Sequence, residues 1–527
     1  MKKIIYLACI LLSSCAQIIA PTGGEADKTP PELVSSYPEN KTKNYKGKEF
    51  KLSFNELIDA SKLNSELVIV PDPGQPYEVK VKNKEVIIKF DKELAENTTY
   101  TLNFRNGITD LTEKNPAKNL KLVISTGSEI DSLQVSGNIK DLFTKEEKLD
   151  VTVGLYPYDT LDFGKKKPLY FIKTDSSGNY TFENIKSDKY FLLAFTDKNN
   201  NLRFDQKEEQ VGFLPDSIHV NQNLNLSSIE IYRANHTKNK IKRTIVRENE
   251  MVLQLEKPVL RASIIFENKE DSLKTSMFAK GPEIKLFRLD KEIQDSIKAK
   301  IVLQDSLLIS DTLQQKIYFK QESNRKKKIG TISLLSSIKN QQEVTTDMKY
   351  EFSVDQPLKR LDLEKIQLKA DTNEIAVNNI YIIDNQHFTI EIPKVNAKDI
   401  EIHIPSNILE NYQGDTNTVV VLKNPLLKDD QLGLVEGEVQ DKERPKIALL
   451  QDENRTKIIR QVNFTDRFIF DKIVPGSYQI TIVFDDNKNG IWDPGNLELR
   501  KLPEEVLSTK EPIRIRANYE FRNLKIE

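Results

Sequence analysis

Two stretches of this chain repeat each other at a nearly constant spacing. Apolar and aromatic positions recur in the same order, as Val135 and Val435, Gly137 and Gly437, Ile139 and Val439 at an offset of 300 residues, then Phe182 and Phe470, Ile185 and Ile473, Tyr190 and Tyr478 at an offset of 288. The shorter offset indicates a 12-residue deletion within the second copy. The chain therefore contains one folding unit twice, and repeated units usually form arrays.

The repeated unit reads as a β-sandwich. Apolar and polar residues alternate in strand fashion over residues 150–156, 169–174 and 180–185, with polar turns such as the one at Ser176–Asn179 between them. Residues 190–195 are nearly all apolar, which indicates a strand covered on both faces. Similar short strands occur along most of the chain, so we predict an all-β fold of antiparallel sandwiches.

The N-terminus reads as an export signal. Lys2 and Lys3 precede an apolar run over residues 4–12, which ends in two serines and Cys15. This layout is typical of a secretory signal peptide, and the apolar run is shorter than the roughly 20 residues that cross a bilayer. Cleavage would remove Cys9, and the mature chain would then have no pair of cysteines for a disulfide or a metal site.

The residues around Cys15 resemble a bacterial lipobox, which implies cleavage after residue 14 and acylation of Cys15. Residues 15–28 form a flexible tether rich in Gly, Pro and charge. The start of the mature chain is similar to lipoproteins of the Bacteroidetes group that carry an SbsA-type Ig-like domain, through Cys15, Ala16, Pro21, Gly23, Gly24, Asp27, Pro30 and Pro31. The resemblance implies an outer-membrane lipoprotein anchored by palmitate or a similar chain, in a leaflet that the sequence does not specify.

We divide the rest of the chain into five modules. The strand order of the repeated unit resembles transthyretin-like or carboxypeptidase regulatory-like sandwiches, which are the non-catalytic parts of such enzymes. The predicted modules are an SbsA-type Ig-like sandwich at 29–127 (module 1), a transthyretin-like sandwich at 128–234 (module 2), a divergent β domain at 235–340 (module 3), a second Ig-like sandwich at 341–427 (module 4) and a second transthyretin-like sandwich at 428–527 (module 5). The expected architecture is a tandem, extended array of these sandwiches.

Each copy of the repeated unit has one loop with metal-binding spacing. Oxygen-bearing side chains stand at positions 1, 3, 5 and 9, and position 7 would offer a backbone carbonyl, which is how calcium loops replace the hydration of a hard cation. The candidate ligands are Asp197, Asn199, Asn201, Arg203, Asp205 and Glu208 in the first loop, and Asp485, Asn487, Asn489, Ile491, Asp493 and Asn496 in the second.

Each calcium loop departs from the pattern at one position. Position 12 is an amide at Asn496, for which Asp486 or Glu498 would have to substitute. Position 6 favours a residue that tolerates a positive φ, which suits Gly490 and not Leu202. The alternative is an Asp/Asn-rich turn without a metal, because these side chains bond readily to their own backbone. Any bound calcium would have a structural role.

Composition and motifs exclude several functions. The 78 basic and 79 acidic side chains nearly balance, so there is no basic excess for nucleic acid. We find no histidine pair for zinc, no nucleophile elbow and no phosphate-binding loop. We expect a non-catalytic envelope protein that acts in adhesion, as a scaffold, or as an accessory subunit of an outer-membrane complex, bound to an envelope protein partner. The alternative is a surface glycan-binding or hydrolase lipoprotein with accessory sandwiches, because paired carboxylates need no local motif.

Overall fold

The computed structural model describes residues 27–526 except 161, 235–236, 291–295, 306–309, 322–329 and 377–378. The predicted signal peptide at 1–14, the lipidation site Cys15 and most of the tether therefore lie outside the described residues. Strands make up 51% of the structure and helices 3%, and nearly all strand pairs are antiparallel. This confirms the prediction of an all-β chain of tandem sandwiches.

Module 1 is a sandwich of two main sheets, ordered β1-β2-β6-β5 and β4-β7-β9, with a small β3-β8 pair at one side. Alternate residues of β2 point inward, and Phe50 and Leu52 are fully buried. A four-residue helix, Leu63–Glu66, follows β3. The strands are Leu33–Tyr37 (β1), Glu49–Phe54 (β2), Ile58–Asp59 (β3), Val68–Val70 (β4), Tyr77–Lys82 (β5), Glu85–Phe90 (β6), Thr99–Asn103 (β7), Thr109–Asp110 (β8) and Lys121–Ser125 (β9).

Module 2 places β10 between β13 and β17, with β18 also paired to β10, against a second sheet ordered β12-β11-β14-β15 in which β16 also pairs with β14. Its strands are Leu133–Asp141 (β10), Thr152–Pro157 (β11), Tyr170–Lys173 (β12), Asn179–Ile185 (β13), Asp188–Phe195 (β14), Val211–Phe213 (β15), Ile218–Val220 (β16), Leu224–Asn225 (β17) and Ile229–Ile231 (β18). The last six residues of β14 are all buried, as the apolar run predicts.

Module 3 has two three-stranded sheets, ordered β19-β20-β22 and β21-β23-β24, around one apolar core. A buried ion pair joins Lys257 to Asp305 at 2.8 Å. The elements are Ile241–Val246 (β19), Glu250–Val259 (β20), Arg261–Phe266 (β21), a 3-10 helix at Lys269–Leu273, Thr275–Arg288 (β22), Ile297–Gln304 (β23) and Ser310–Ile317 (β24).

Module 4 has the same sheet order as module 1. Its sheets β26-β27-β32-β31 and β29-β33-β36 correspond to the two main sheets of module 1, with β30 added to the second and β25, β28, β34 and β35 forming the side sheet. The elements are Thr331–Ile332 (β25), Leu334–Ser336 (β26), Lys349–Val354 (β27), Leu358–Leu361 (β28), a 3-10 helix at Leu363–Lys365, Gln367–Ala370 (β29), Asn373–Ile375 (β30), Ile380–Ile382 (β31), His387–Glu391 (β32), Asp399–Ile404 (β33), Leu409–Asn411 (β34), Thr416–Asn417 (β35) and Val420–Pro425 (β36).

One hydrogen bond illustrates the correspondence between modules 1 and 4. The side-chain oxygen of Asn40 accepts from the Val123 amide at 2.9 Å, and that of Asn340 accepts from the Lys423 amide at 2.8 Å. The boundary predicted at 340/341 needs correction, because β25 and β26 pair with β35 and β27 of module 4. Module 4 therefore begins at about residue 331.

Module 5 repeats the sheet order of module 2, with β37 between β40 and β44 and a second sheet ordered β39-β38-β41-β42, in which β43 also pairs with β41. After a 3-10 helix at Asp429–Gln431, its strands are Gly433–Val439 (β37), Lys446–Asp452 (β38), Ile458–Phe464 (β39), Arg467–Ile473 (β40), Gly476–Phe484 (β41), Val506–Ser508 (β42), Ile513–Ile515 (β43) and Glu520–Ile526 (β44). In both copies a glycine of the central strand, Gly137 in β10 and Gly437 in β37, is covered by an aromatic ring of the neighbouring strand. A Cβ on Gly137 or Gly437 would lie 2.5 Å from Tyr180 or 2.4 Å from Phe468.

Candidate functional site

The first Asp/Asn loop connects β14 to β15 and is organised by two carboxylates. The two oxygens of Asp197 accept from the amides of Asn201 at 3.1 Å and Leu202 at 2.9 Å. Glu209 accepts from the Lys198 amide at 3.1 Å and from the Asp205 amide at 2.8 Å. These bonds tie both ends of the loop together around side chains that are almost completely buried.

The second loop, between β41 and β42, is built in the same way. Asp485 accepts from the amides of Asn489 and Gly490, both at 2.9 Å. Glu504 accepts from the amides of Asp486 and Asp493, both at 3.0 Å. The repeat therefore preserves the internal bonding of the loop, including a glutamate that closes it.

The structure gathers some of the predicted ligands and not others. Asn199 and Asn201 accept backbone N–H groups inside the first loop, and Asn487 and Asn489 do the same in the second. Arg203 and Ile491 each donate a backbone N–H to the preceding asparagine, at 2.7 and 3.0 Å.

Two predicted ligands lie apart from the loop centres. The Glu208 carboxylate faces Arg233 at 3.7 Å, and Asn496 accepts from the Leu499 amide at 3.0 Å within its own turn. The glutamates that close the loops are instead Glu209 and Glu504, at the thirteenth and twentieth positions. A pattern that fixes the last ligand at position 12 misses both. The only sequence signal that could have pointed to Glu209 is that it directly follows Glu208, the residue at position 12.

The sixth position has a positive φ in both loops. Leu202 has a φ of 60° and Gly490 a φ of 81°, so the leucine adopts the conformation that the pattern reserves for glycine. Within the described residues, no group of three or more His, Cys, Asp or Glu side chains is already placed to hold a metal ion. Calcium in these loops therefore stays a prediction, and binding would require their carboxylates to move together.

The environment of each closing glutamate disfavours its negative charge. Burial raises the pKa of Glu209, backbone hydrogen bonds from Asp205 and Lys198 lower it, and the nearby charges of Asp197 and Asp205 raise it further. The pKa of Glu504 is also raised, first by burial and then by Asp493 and Asp485. Each loop therefore brings several like charges into a partly desolvated place, which a proton or a cation would relieve.

Both loops border an interface between modules 2 and 5. One cluster of buried apolar side chains includes residues of both modules, and its members from module 2 are Leu142, Tyr156, Phe163, Phe191, Leu193, Phe195, Phe204, Val211, Phe213, Tyr232 and Ala234, while those from module 5 are Ile447, Val483, Leu497 and Val506. The two copies thus lie against each other through the outer faces of their second sheets. The array is not extended at this point, because the chain folds back on itself.

Aromatic contacts define this interface. Trp492, the only tryptophan of the chain, lies in the second loop with its ring centre 5.0 Å from Phe143 and 6.0 Å from Tyr232 of module 2. The Arg500 guanidinium lies 4.5 Å from the ring centre of Phe191, and it donates a hydrogen bond to the Tyr158 carbonyl at 2.8 Å. A buried aromatic core with hydrogen-bonded polar groups at its rim is typical of a stable interface.

Smaller contacts join the other neighbouring modules. Lys121 of module 1 pairs with Glu183 of module 2 at 3.0 Å, and Lys207 of module 2 pairs with Glu256 of module 3 at 3.4 Å. The ring of Phe278 in module 3 stacks on His387 of module 4, and Asp347 of module 4 pairs with Arg460 of module 5. Modules 2 to 5 therefore form a closed circuit of contacts.

A cavity of about 480 Å³ lies between modules 3 and 4 and includes acidic residues. Glu250 pairs with Arg247, and Asp415 accepts from the Gly330 amide and from Asn411. These carboxylates have structural partners. Glu248 also lines the cavity, and the glycan hydrolase alternative stays a prediction.

Comparisons with known proteins identify the class of the first module. The family model of the bacterial Ig-like domain matches residues 27–126, so this part of the chain is similar to bacterial Ig-like domains. The match ends where module 2 begins, and it covers less than half of the chain. No curated protein matches the sequence.

Solved structures give weak overall likenesses. The major pilin subunit BcpA of Bacillus cereus is 10% identical, with 75% of this chain and 99% of the pilin covered at a TM-score of 0.15. Domains 1–6 of the surface layer protein SbsC are 9% identical, with 93% of this chain and 67% of SbsC covered at a TM-score of 0.15. Scores this low carry no argument about function. Among the described residues, no helix is long and apolar enough to cross a membrane.

Proposed function

We propose that this protein is a non-catalytic, lipid-anchored scaffold or adhesion protein of the bacterial cell envelope. The observation that carries the proposal is the organisation of the chain, in which a segment similar to bacterial Ig-like domains is followed by four further sandwiches, two of which pack together through apolar faces. Cys15 would anchor the mature chain to a membrane, and the tether would separate module 1 from the lipid surface.

An exposed edge strand offers a surface for an envelope protein partner. Strand β31 forms one edge of a sheet in module 4, and Tyr381, Ile382 and Ile383 are 49%, 59% and 64% exposed there and just beyond it. Such an edge accepts an extended segment of another protein through backbone hydrogen bonds, with the exposed side chains adding apolar contacts. The proposed accessory role in an outer-membrane complex would use this edge.

Metabolic labelling with a palmitate analogue tests the anchor. We expect label on the wild-type protein in membrane fractions, no label and release from membranes for Cys15→Ser, and full labelling for the control Cys9→Ser. An unlabelled wild-type protein would refute the lipid anchor.

Crosslinking in membranes followed by co-purification tests the partner. We expect Ile382→Lys to lose a crosslinked protein that the wild type captures. Ile458→Lys, which changes a similarly exposed residue on an edge strand of module 5, should retain it. Capture by both variants would exclude β31 as the binding edge.

A further inference from the structure

Three of the four carboxylates of the first loop, those of Asp197, Asp205 and Glu209, have no ion-pair partner among the described residues. Asp197 is 7% exposed and Glu209 is 1% exposed, and Asp205 lies between them in sequence. Of the basic side chains nearby, Lys207 pairs with Glu256 and Arg233 with Glu208, and no described ion pair joins Lys198 or Arg203 to these carboxylates. Buried carboxylates are usually paired with a cation or bound to a metal.

Two buried hydroxyls near this loop are independently unexplained. Tyr156 and Thr152 are both completely buried, and neither hydroxyl has a hydrogen-bond partner. The Tyr156 ring lies against Gly154, with Cε2 3.0 Å from where a Cβ would be. The ring thus lies on the part of β11 between Tyr156 and Thr152. Thr152 pairs across the sheet with Phe195, two residues before Asp197.

Charge also connects Tyr156 to the loop. Burial raises the pKa of the Tyr156 phenol, and the charges of Asp197 and Glu209 raise it further. The phenol therefore lies within electrostatic range of both carboxylates. Orphaned buried polar groups in native proteins commonly mark a bound water or ion.

We propose that loop 197–209 binds a calcium ion through Asp197, Asp205 and Glu209, and that the bound ion supports the docking of module 5 on module 2. The side-chain oxygens of Asn199 and Asn201 complete an all-oxygen set of the kind that calcium accepts in flexible geometry. Tyr156 contributes its hydroxyl to the polar wall of the site, directly or through a water. Glu209 takes the place that the spacing pattern assigned to Glu208.

The second loop is a poorer site. The side-chain amides of both Asn487 and Asn489 donate to Asp493, which already compensates part of its charge. The first loop has no corresponding bonds to Asp205 among those described, where Asp205 accepts from the Lys207 amide at 2.9 Å. We therefore expect one calcium site, in the first loop, although the chain has two similar loops.

Phe204 links the ion to the interface. It lies within the loop, its ring centre is 6.1 Å from that of Phe195, and both rings belong to the cluster shared by modules 2 and 5. Because no three carboxylates are already grouped, an ion has to draw the loop inward, and Phe204 would move with the loop. Trp492 lies in the same interface, so its fluorescence should respond to this movement.

Calorimetry with CaCl₂ on the EGTA-treated mature chain tests the site. We expect one site with a Kd of about 10⁻⁴ to 10⁻³ M, as in extracellular modules. Binding should weaken at least about tenfold in Glu209→Gln and stay unchanged in the control Glu208→Gln. Tyr156→Phe, which keeps the ring, provides a variant with little risk of unfolding and should weaken binding several-fold.

Quenching of Trp492 by acrylamide tests the coupling. Calcium should reduce quenching in the wild type and in Glu208→Gln, and leave it unchanged in Glu209→Gln. Absence of calcium binding by the wild type would overturn the site, as would equal binding by Glu208→Gln, Glu209→Gln and Tyr156→Phe. Binding without any change in Trp492 quenching would overturn the coupling to the interface.

Discussion

Ile447 offers a direct measure of how strongly modules 2 and 5 hold each other. It lies on β38 opposite Val483 of β41, and both side chains are 1% exposed within the cluster that the two modules share. Its side chain points away from the core of module 5 itself. Replacing it with alanine should therefore weaken docking while leaving the folding of module 5 nearly unchanged.

The size of the effect follows from burial. Ile447→Ala removes three carbon groups at about 0.8 kcal/mol each, and the cavity left behind adds to this. A loss of about 3 kcal/mol is expected, which lowers the docking equilibrium constant by roughly two orders of magnitude.

Trp492 provides the readout for this change. Ile447→Ala should increase its quenching by acrylamide and enlarge the radius of gyration measured by small-angle scattering. Ile482→Ala is the matched control, because Ile482 is fully buried on the inner face of the same sheet. It should lower the urea midpoint of module 5 unfolding. If Ile447→Ala kept wild-type quenching and dimensions, or destabilised module 5 as much as Ile482→Ala, the docking interface would be refuted.

Three further changes test local features. Tyr180→Phe removes a buried, unpartnered hydroxyl at the position that Phe468 occupies in the other copy, so urea denaturation should show equal stability or a gain of up to about 1 kcal/mol; a clear loss would contradict this. Leu202→Gly relieves a φ of 60° and should raise the melting temperature, with a gain of about 1 kcal/mol; an unchanged or lower melting temperature would contradict this. Asp305→Ala removes the carboxylate that pairs with Lys257 at 2.8 Å and should cost module 3 about 3 kcal/mol in chemical denaturation, whereas a neutral result would show that the pair is dispensable.

Much of the fold could be predicted because burial on one face leaves an alternating pattern in the sequence. The apolar run at 190–195 also predicted that β14 is covered on both faces. This run could not show that module 5 covers one of those faces. Strand β41 of module 5 has two polar residues, Gln479 and Thr481, on the same outer face as Val483. An outer face with this mixture of polar and apolar residues is predicted to be exposed to solvent.

The boundary of module 4 and the closing glutamates were missed for related reasons. Strands β25 and β26 have two and three residues, which is too short for alternation to be visible. Glu504 reaches its loop only because β42 brings the chain back beside β41, a pairing that local spacing does not encode. Long-range pairing is the part of the structure that a single sequence reveals least.

The docking of module 5 on module 2 also determines how the chain would carry tension. If module 1 is held by its tether and module 5 is pulled, the load passes through the shared aromatic cluster and bypasses modules 3 and 4, which span 241–425. Those modules then act as hidden length. They come under force only after the cluster ruptures, which would let the molecule lengthen in one step while every sandwich stays folded.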